Sequence, residues 1–232
     1  MSGCDKMATP TPPSTQPSTP STPQRYAEAF RMMKEGALIL IIGEIVLVAA
    51  GMWLVFGLLG GVLSAHGSIE HIAKWLLGVG IGTLIGVLVG LVAFLYGVYA
   101  KFVPGVTKLS EIDSSYSTAK TLIRLGYIWG VILMIIGVPL TLLVIGILIT
   151  FVGLILLLLG HIGTIILCFN LNGKEGNSLY LIAGILFIIG IFVPILSFIS
   201  WILLYIAFSN SESKWATTQS TPAPSPGPVT LT

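Results

Sequence analysis

The stretch Gly78-Val-Gly-Ile-Gly82-Thr-Leu-Ile-Gly86-Val-Leu-Val-Gly90 repeats a glycine at every fourth position inside an apolar run. On a helix Gly78, Gly82, Gly86 and Gly90 form one smooth stripe. In water such a helix is poor, because each interior Gly costs about 0.5–1 kcal/mol relative to Ala. In lipid, small residues let a second backbone come close. The stretch therefore predicts a membrane helix packed tightly on a neighbour.

Composition agrees. Of 232 residues, 55% are hydrophobic and 9% charged, with a mean hydropathy of +0.99, whereas an ordinary soluble domain carries about 25% charged residues. The expected fold class is all-α, a polytopic transmembrane helix bundle of about five spans. A net charge of +2 is too small to call for nucleic acid. Cys4 and Cys168 suggest no disulfide framework, and a structural role suffices for both.

Residues 1–24, rich in Pro, Ser and Thr, hold too few large apolar side chains to build a core and read as a disordered tail. Residues 25–35 read as a basic amphipathic lead-in whose Arg25, Arg31 and Lys34 lie against headgroups. The transmembrane domain runs over 36–208, with spans near 36–63, 75–99, 122–140, 145–169 and 179–208. The first is long enough to cross a core of about 30 Å. Trp75, Tyr96 and Tyr99 bracket the second as interface anchors, and Trp201 and Tyr205 do so in the fifth. Lys101 to Lys120, broken by Pro104-Gly105, reads as a loop with a short surface helix from Ser110. The apolar run Leu122 to Phe169 is about 70 Å long as one helix, more than twice a bilayer core. It must fold back, and Pro139 after Gly137 is the natural breaker. Gly146, Gly153 and Gly160 recur every seventh residue in the fourth span, a second small-residue seam that can receive another helix, including the second span. Asn170 to Ser178 reads as a polar link. Halving Leu179 to Phe208 at Pro194 would leave runs of about 14 residues, short of the usual requirement of about 20, so one long kinked span is expected there. The tail 209–232 reads as disordered again.

With five spans, nine Lys and Arg fall on the N-terminal side and two on the other. The positive-inside rule then places the chain in the cell membrane with a cytoplasmic N-terminus and an outside C-terminus. A sixth span would make the balance ten to one, so charge leaves both counts open.

Two ionisable residues stand inside spans. Glu44 lies eight residues into the first and His161 eight residues from the end of the fourth, which puts both about 12 Å below one surface. Insertion of a charged side chain at mid-helix costs about 2.5–3.5 kcal/mol, so such groups turn inward and find partners. Glu44 and His161 are expected either to face each other, as a bonded pair or part of an ion path, or to be neutral and bonded locally. Thr83, Thr141, Thr150, Thr164, Ser197 and Ser200 can bond back to their own helices. His66, Glu70 and His71 have the residue types of a metal site, but their spacing off one helix face favours a solvated loop. No nucleotide loop, metal cluster or nucleophile elbow is present, so no catalytic, cofactor or metal site is expected and the chain does not read as an enzyme.

The segments Gly130-Val-Ile-Leu-Met-Ile-Ile-Gly137, Asn172-Gly-Lys174 and Ala183-Gly-Ile-Leu-Phe-Ile-Ile-Gly-Ile-Phe-Val-Pro194, followed by Trp201-Ile-Leu-Leu-Tyr205, resemble an uncharacterised archaeal family of multispan membrane proteins, a domain of unknown function found mainly in thermoacidophiles. The lead-in Ala29-Phe30-Arg31 to Gly36-Ala37 fits as well. The resemblance implies a membrane bundle and no particular activity. Together these readings give an integral membrane protein, first a non-enzymatic structural or interaction component and second a small channel or transporter using Glu44 and His161. Its partners are the lipid bilayer and either a second copy or other membrane proteins.

Overall fold

The computed structural model describes residues 21–63 and 69–218. Of the tail expected over 1–24, residues 1–20 lie outside the described residues and Thr22 to Gln24 are already helix; the C-terminal tail from 219, and His66 with the side chains of Glu70 and His71, also lie outside the described residues. Five helices are long and apolar enough to cross a membrane, and the described residues are helical with short turns between.

Helix α1 (Thr22–Leu63) is continuous from what reads as a separate lead-in. Ser21 begins it, its backbone N–H donating to Gln24 Oε1 at 2.9 Å, and Pro23 occupies the first turn, where no N–H is needed. One face of the lead-in is packed within the protein, while Arg25 and Arg31 stay exposed. Ala29, Phe30 and Met33 are fully buried, because other helices extend past the apolar zone alongside them.

Helix α2 (Ile69–Tyr96) runs through a π-helical turn at Gly97–Phe102 directly into α3 (Val103–Ile112). The loop expected at Pro104-Gly105 is therefore helix. Proline is tolerated because the preceding turn is wide, with the Val103 N–H reaching back to Val98 O, which relieves the crowding a proline ring imposes on an ordinary helix. Ser110 does not cap a surface helix; its hydroxyl donates to Thr107 O at 2.7 Å. The chain turns at Asp113, whose side chain accepts the Ser115 N–H.

The third crossing is a rod of α4 (Ser117–Ile123), a π-helical turn (Arg124–Trp129) and α5 (Gly130–Gly137). A 3-10 turn at Pro139–Leu142 leads to α6 (Val144–Glu175), which absorbs most of the expected polar link. It ends at Gly176, whose φ of +67° suits glycine, and the Asn177 side chain accepts the Leu179 N–H to start α7 (Ser178–Gly190).

Instead of one kinked fifth span over 179–208, the chain reverses at residues 191–193 and returns as α8 (Pro194–Thr218), packed against α7 and α1. Pro194 opens a new helix, a position that suits it, and α7 is a shorter apolar helix of 13 residues. The length rule misled because α7 packs between α6 and α8 instead of crossing alone. Residues 209–218, expected as tail, are the last turns of α8. Its end stands beside the start of α1: Tyr26 stacks on Trp215 at 4.4 Å, and Lys34 pairs with Glu212. The C-terminal end of the helical body thus lies at the same end as the N-terminal one, not opposite it.

That end is charged. Lys101 pairs with Glu35 at 2.6 Å and Lys214 with Glu175 at 3.1 Å, alongside Lys108–Glu28 and Lys174–Asp113. Lys174, together with the Ser115 N–H, lowers the Asp113 carboxyl to about 2. Its stabilising part is present above about pH 4 and fades as pH falls toward 2. Beneath these pairs lies the core, where Phe102, Phe208, Tyr180, Phe187 and Trp201 pack in edge and tilted contacts. Trp201 is 6% exposed, a core residue and not the interface anchor expected. Tyr99 is likewise inward, its hydroxyl shared between Tyr127 O and Ile128 O at 3.2 and 3.1 Å.

The glycine stripe lies against α1. A methyl at Gly82, Gly86 or Gly90 would stand 2.9, 2.7 and 2.6 Å from Trp53, Ala50 and Leu47 respectively, whereas one at Gly78 meets nothing. A four-residue repeat advances about 40° per step on an α-helix, so the stripe rotates off its partner at one end and Val79 takes over, against Gly57. The seam of α6 receives the third crossing and the turn after it, not the second span: a methyl at Gly146 would fall on the Leu140 backbone, one at Gly153 would stand 3.1 Å from Gly130 O and Met134 N, and one at Gly160 3.0 Å from Tyr127 N. A methyl at Gly126 would fall within the Gly160 backbone. Gly126→Ala should therefore lower stability by about 1–3 kcal/mol, while Gly78→Ala should be neutral or stabilising by up to about 1 kcal/mol. Thermal unfolding in one detergent checks the pair, and equal shifts would contradict these contacts.

Candidate functional site

Glu44 and His161 line one cavity of about 310 Å³, with Leu40, Leu47, Phe94, Tyr127, Leu157, Ser197 and Trp201. Four separate crossings build most of it. α1 supplies Glu44, set one residue after Gly43, where a methyl would meet Gly90 O at 3.3 Å, so the backbone around the carboxylate is pinned to α2. α6 supplies His161, next to Gly160, and the third crossing supplies Tyr127, next to Gly126. The Gly126–Gly160 approach thus fixes both side chains at the cavity wall. α8 supplies Ser197 and Trp201, one turn apart.

The two ionisable groups share the space without bonding to each other. His161 Nε2 is 3.1 Å from Phe187 O, one of the last four carbonyls of α7, which lack an intrahelical donor. A carbonyl only accepts, so the ring donates through Nε2 and leaves Nδ1 as the nitrogen that can take a proton. The ring also stands edge-on to Phe187 at 4.9 Å. Among the described residues Glu44 has no hydrogen-bond or ion-pair partner. Tyr127 is committed, its hydroxyl 3.2 Å from Thr164 Oγ1, while Thr164 also donates to Gly160 O.

On its outer side Glu44 borders a second cavity of about 540 Å³, lined by Ile45, Val48, Ala49, Met52, Pro194, Ile195 and Phe198. The carboxylate therefore stands between an inner space with polar groups and a groove that is otherwise apolar.

A family model described as a protein of unknown function (DUF973) matches residues 27–230. The chain belongs to the DUF973 family. No curated protein and no solved structure matches it, so membership in DUF973 assigns no residue a role and the site rests on geometry.

Among the described residues no group of three His, Cys, Asp or Glu could hold a metal ion. Thr83, Thr141 and Ser200 bond back to their own helices, but Thr150 Oγ1 is buried without a partner, pressed against Gly137. Phe94, Tyr127, Ser197 and Trp201 were not legible as cavity residues. The sequence signal for Tyr127 is its place beside Gly126; Trp201 hid behind the aromatic-belt rule, and Ser197 behind the wrong topology after Pro194.

The bonding predicts a split in stability. His161→Phe leaves the Phe187 carbonyl unpaired and should cost about 1 kcal/mol, whereas Glu44→Gln removes no bond and should unfold at the wild-type temperature or above. Melting curves in one detergent decide; a Glu44→Gln loss as large as that of His161→Phe would mean the carboxylate has a structural partner.

Proposed function

We propose that this protein is a non-enzymatic, multi-pass membrane protein that binds and passes a small solute at an intramembrane site formed by Glu44 and His161. The observation that carries this reading is the carboxylate itself, unpartnered among the described residues, on a cavity shared with His161 and walled by several crossings. A bundle selected only to be a scaffold would gain by replacing such a group with an apolar one, because its insertion is costly and nothing repays it. This moves the solute-handling reading ahead of a purely structural or interaction role.

The same reading orients the chain. Of its 11 Lys and Arg residues, Lys74 belongs to the end opposite the Lys101–Glu35 and Lys214–Glu175 pairs, and the rest belong to the end of those pairs or to the tail that leads to it. The positive-inside rule puts that end, with both termini of the helical body, in the cytoplasm.

Proteoliposomes with a pH-sensitive dye inside, driven by imposed proton and potassium gradients, test the proposal. Wild-type vesicles should carry flux above protein-free vesicles, and Glu44→Gln should lower it by about tenfold or more. Flux unchanged in the variant, or absent from the wild type under every gradient, overturns it.

A further inference from the structure

The groove on the outer side of Glu44 adds a substrate class to this reading, on which the following rests. We infer that the site takes a lipophilic monovalent cation, an organic amine or onium with a bulky apolar body, which enters sideways from the bilayer between α1 and α8.

Three observations converge on it. The first is charge. Glu44 is an acidic group within an apolar stretch of α1, it has no partner among the described residues, and it stands where the two cavities meet. A carboxylate held in hydrocarbon needs either a proton or a cation, and an ion that brings its own apolar surface supplies the charge without leaving a hydration shell behind. The second is shape. The groove, about 540 Å³, and the inner cavity, about 310 Å³, each fall in the size range of pockets for small organic ligands. The third is lining. Beyond Glu44 the groove is walled by Val48, Ala49, Met52, Ile195 and Phe198, surfaces that suit an apolar body. The inner cavity is lined in part by Phe94, Tyr127 and Trp201, aromatic side chains whose π-systems can attract a cation desolvated by this environment.

An anion is disfavoured by the same carboxylate, and a small hydrated cation gains nothing from the apolar walls. Binding and protonation compete for one group. From the elements packed around Glu44, the titratable side chains that face it are His161 on α6 and Tyr127 on the third crossing; α2 contributes Phe94 and α8 contributes Ser197 and Trp201, which do not titrate. A protonated His161 repels the same cation, so both groups make binding tighten as pH rises.

Tetraphenylphosphonium is the probe, measured by equilibrium dialysis against the full chain in nanodiscs, with empty nanodiscs subtracting partition into lipid. The wild type should bind it saturably and more tightly at higher pH. Glu44→Gln should weaken binding by about tenfold or more, and Glu44→Asp should retain part of it. Ala49→Trp, which fills the groove while leaving the carboxylate, should weaken or slow binding. Tetraphenylborate, of the same shape and opposite charge, should not saturate. Melting curves confirm that each variant is folded. No saturable binding by the wild type, equal binding by folded Glu44→Gln, or saturable binding of the borate overturns the cation assignment; wild-type kinetics and affinity in Ala49→Trp overturn the lateral route. If the cation fails to bind while Glu44-dependent flux persists in proteoliposomes, the substrate class is wrong and the solute-handling reading stands. If the cation binds through Glu44 and no flux is seen under any gradient, the cation site stands and passage of a solute through it is wrong.

Discussion

The structure depends on the backbone contact between the third crossing and α6, where Gly126 and Gly130 meet Gly153 and Gly160. Lipid tails are as apolar as the side chains that face them, so no hydrophobic force draws one membrane helix to another. What remains is close packing and hydrogen bonding, and both need small residues. A Leu157 backbone nitrogen 2.8 Å from where a methyl on Gly130 would stand leaves no room for any larger residue. Because Tyr127 follows Gly126 and His161 follows Gly160, the contact that holds these helices also sets two walls of the polar cavity.

A second constraint acts at the charged end. There α1, α3, α6, α7 and α8 are tied by ion pairs, by Tyr26 on Trp215, and by Tyr180 against Ser211 at 2.9 Å. The exposed Lys108–Glu28 pair is worth little by itself, but it and the more buried pairs beside it sit over a core of buried aromatic residues. Toward the other end the large side chains face outward, as in the first turns of α6, where Val144 is 86% exposed.

The fold class was legible because hydropathy and helix length answer directly to bilayer thickness, and the long run ending at Phe169 does reverse where Gly137 and Pro139 stand. Proline elsewhere was ambiguous. Pro104 sits inside a helix because a π-turn precedes it, and Pro194 begins one because the chain has just reversed; neither neighbour leaves a mark in composition. The length rule joined α7 and α8 because it assumes every helix meets lipid on its own, and the polar residues 209–218 looked like tail because their partners, Tyr26, Lys34 and Glu175, are remote in sequence. Of the site, Glu44 and His161 were visible as ionisable residues in apolar runs. Their neighbours Phe94, Ser197 and Trp201 carry no charge, and only the packing of the crossings brings them to one space.

Glu44 and His161, remote in sequence, face one cavity inside a single chain, and everything said of the site depends on that. The most direct measurement places cysteines at both positions in a background where Cys4 and Cys168 are replaced, and treats the protein in nanodiscs with a short bis-maleimide. The shared cavity predicts an intramolecular cross-link between positions 44 and 161 and none between position 44 and a cysteine at Leu148 on the outward face of α6. Failure of the 44–161 pair to link in the folded protein, or linking only between copies, would contradict it.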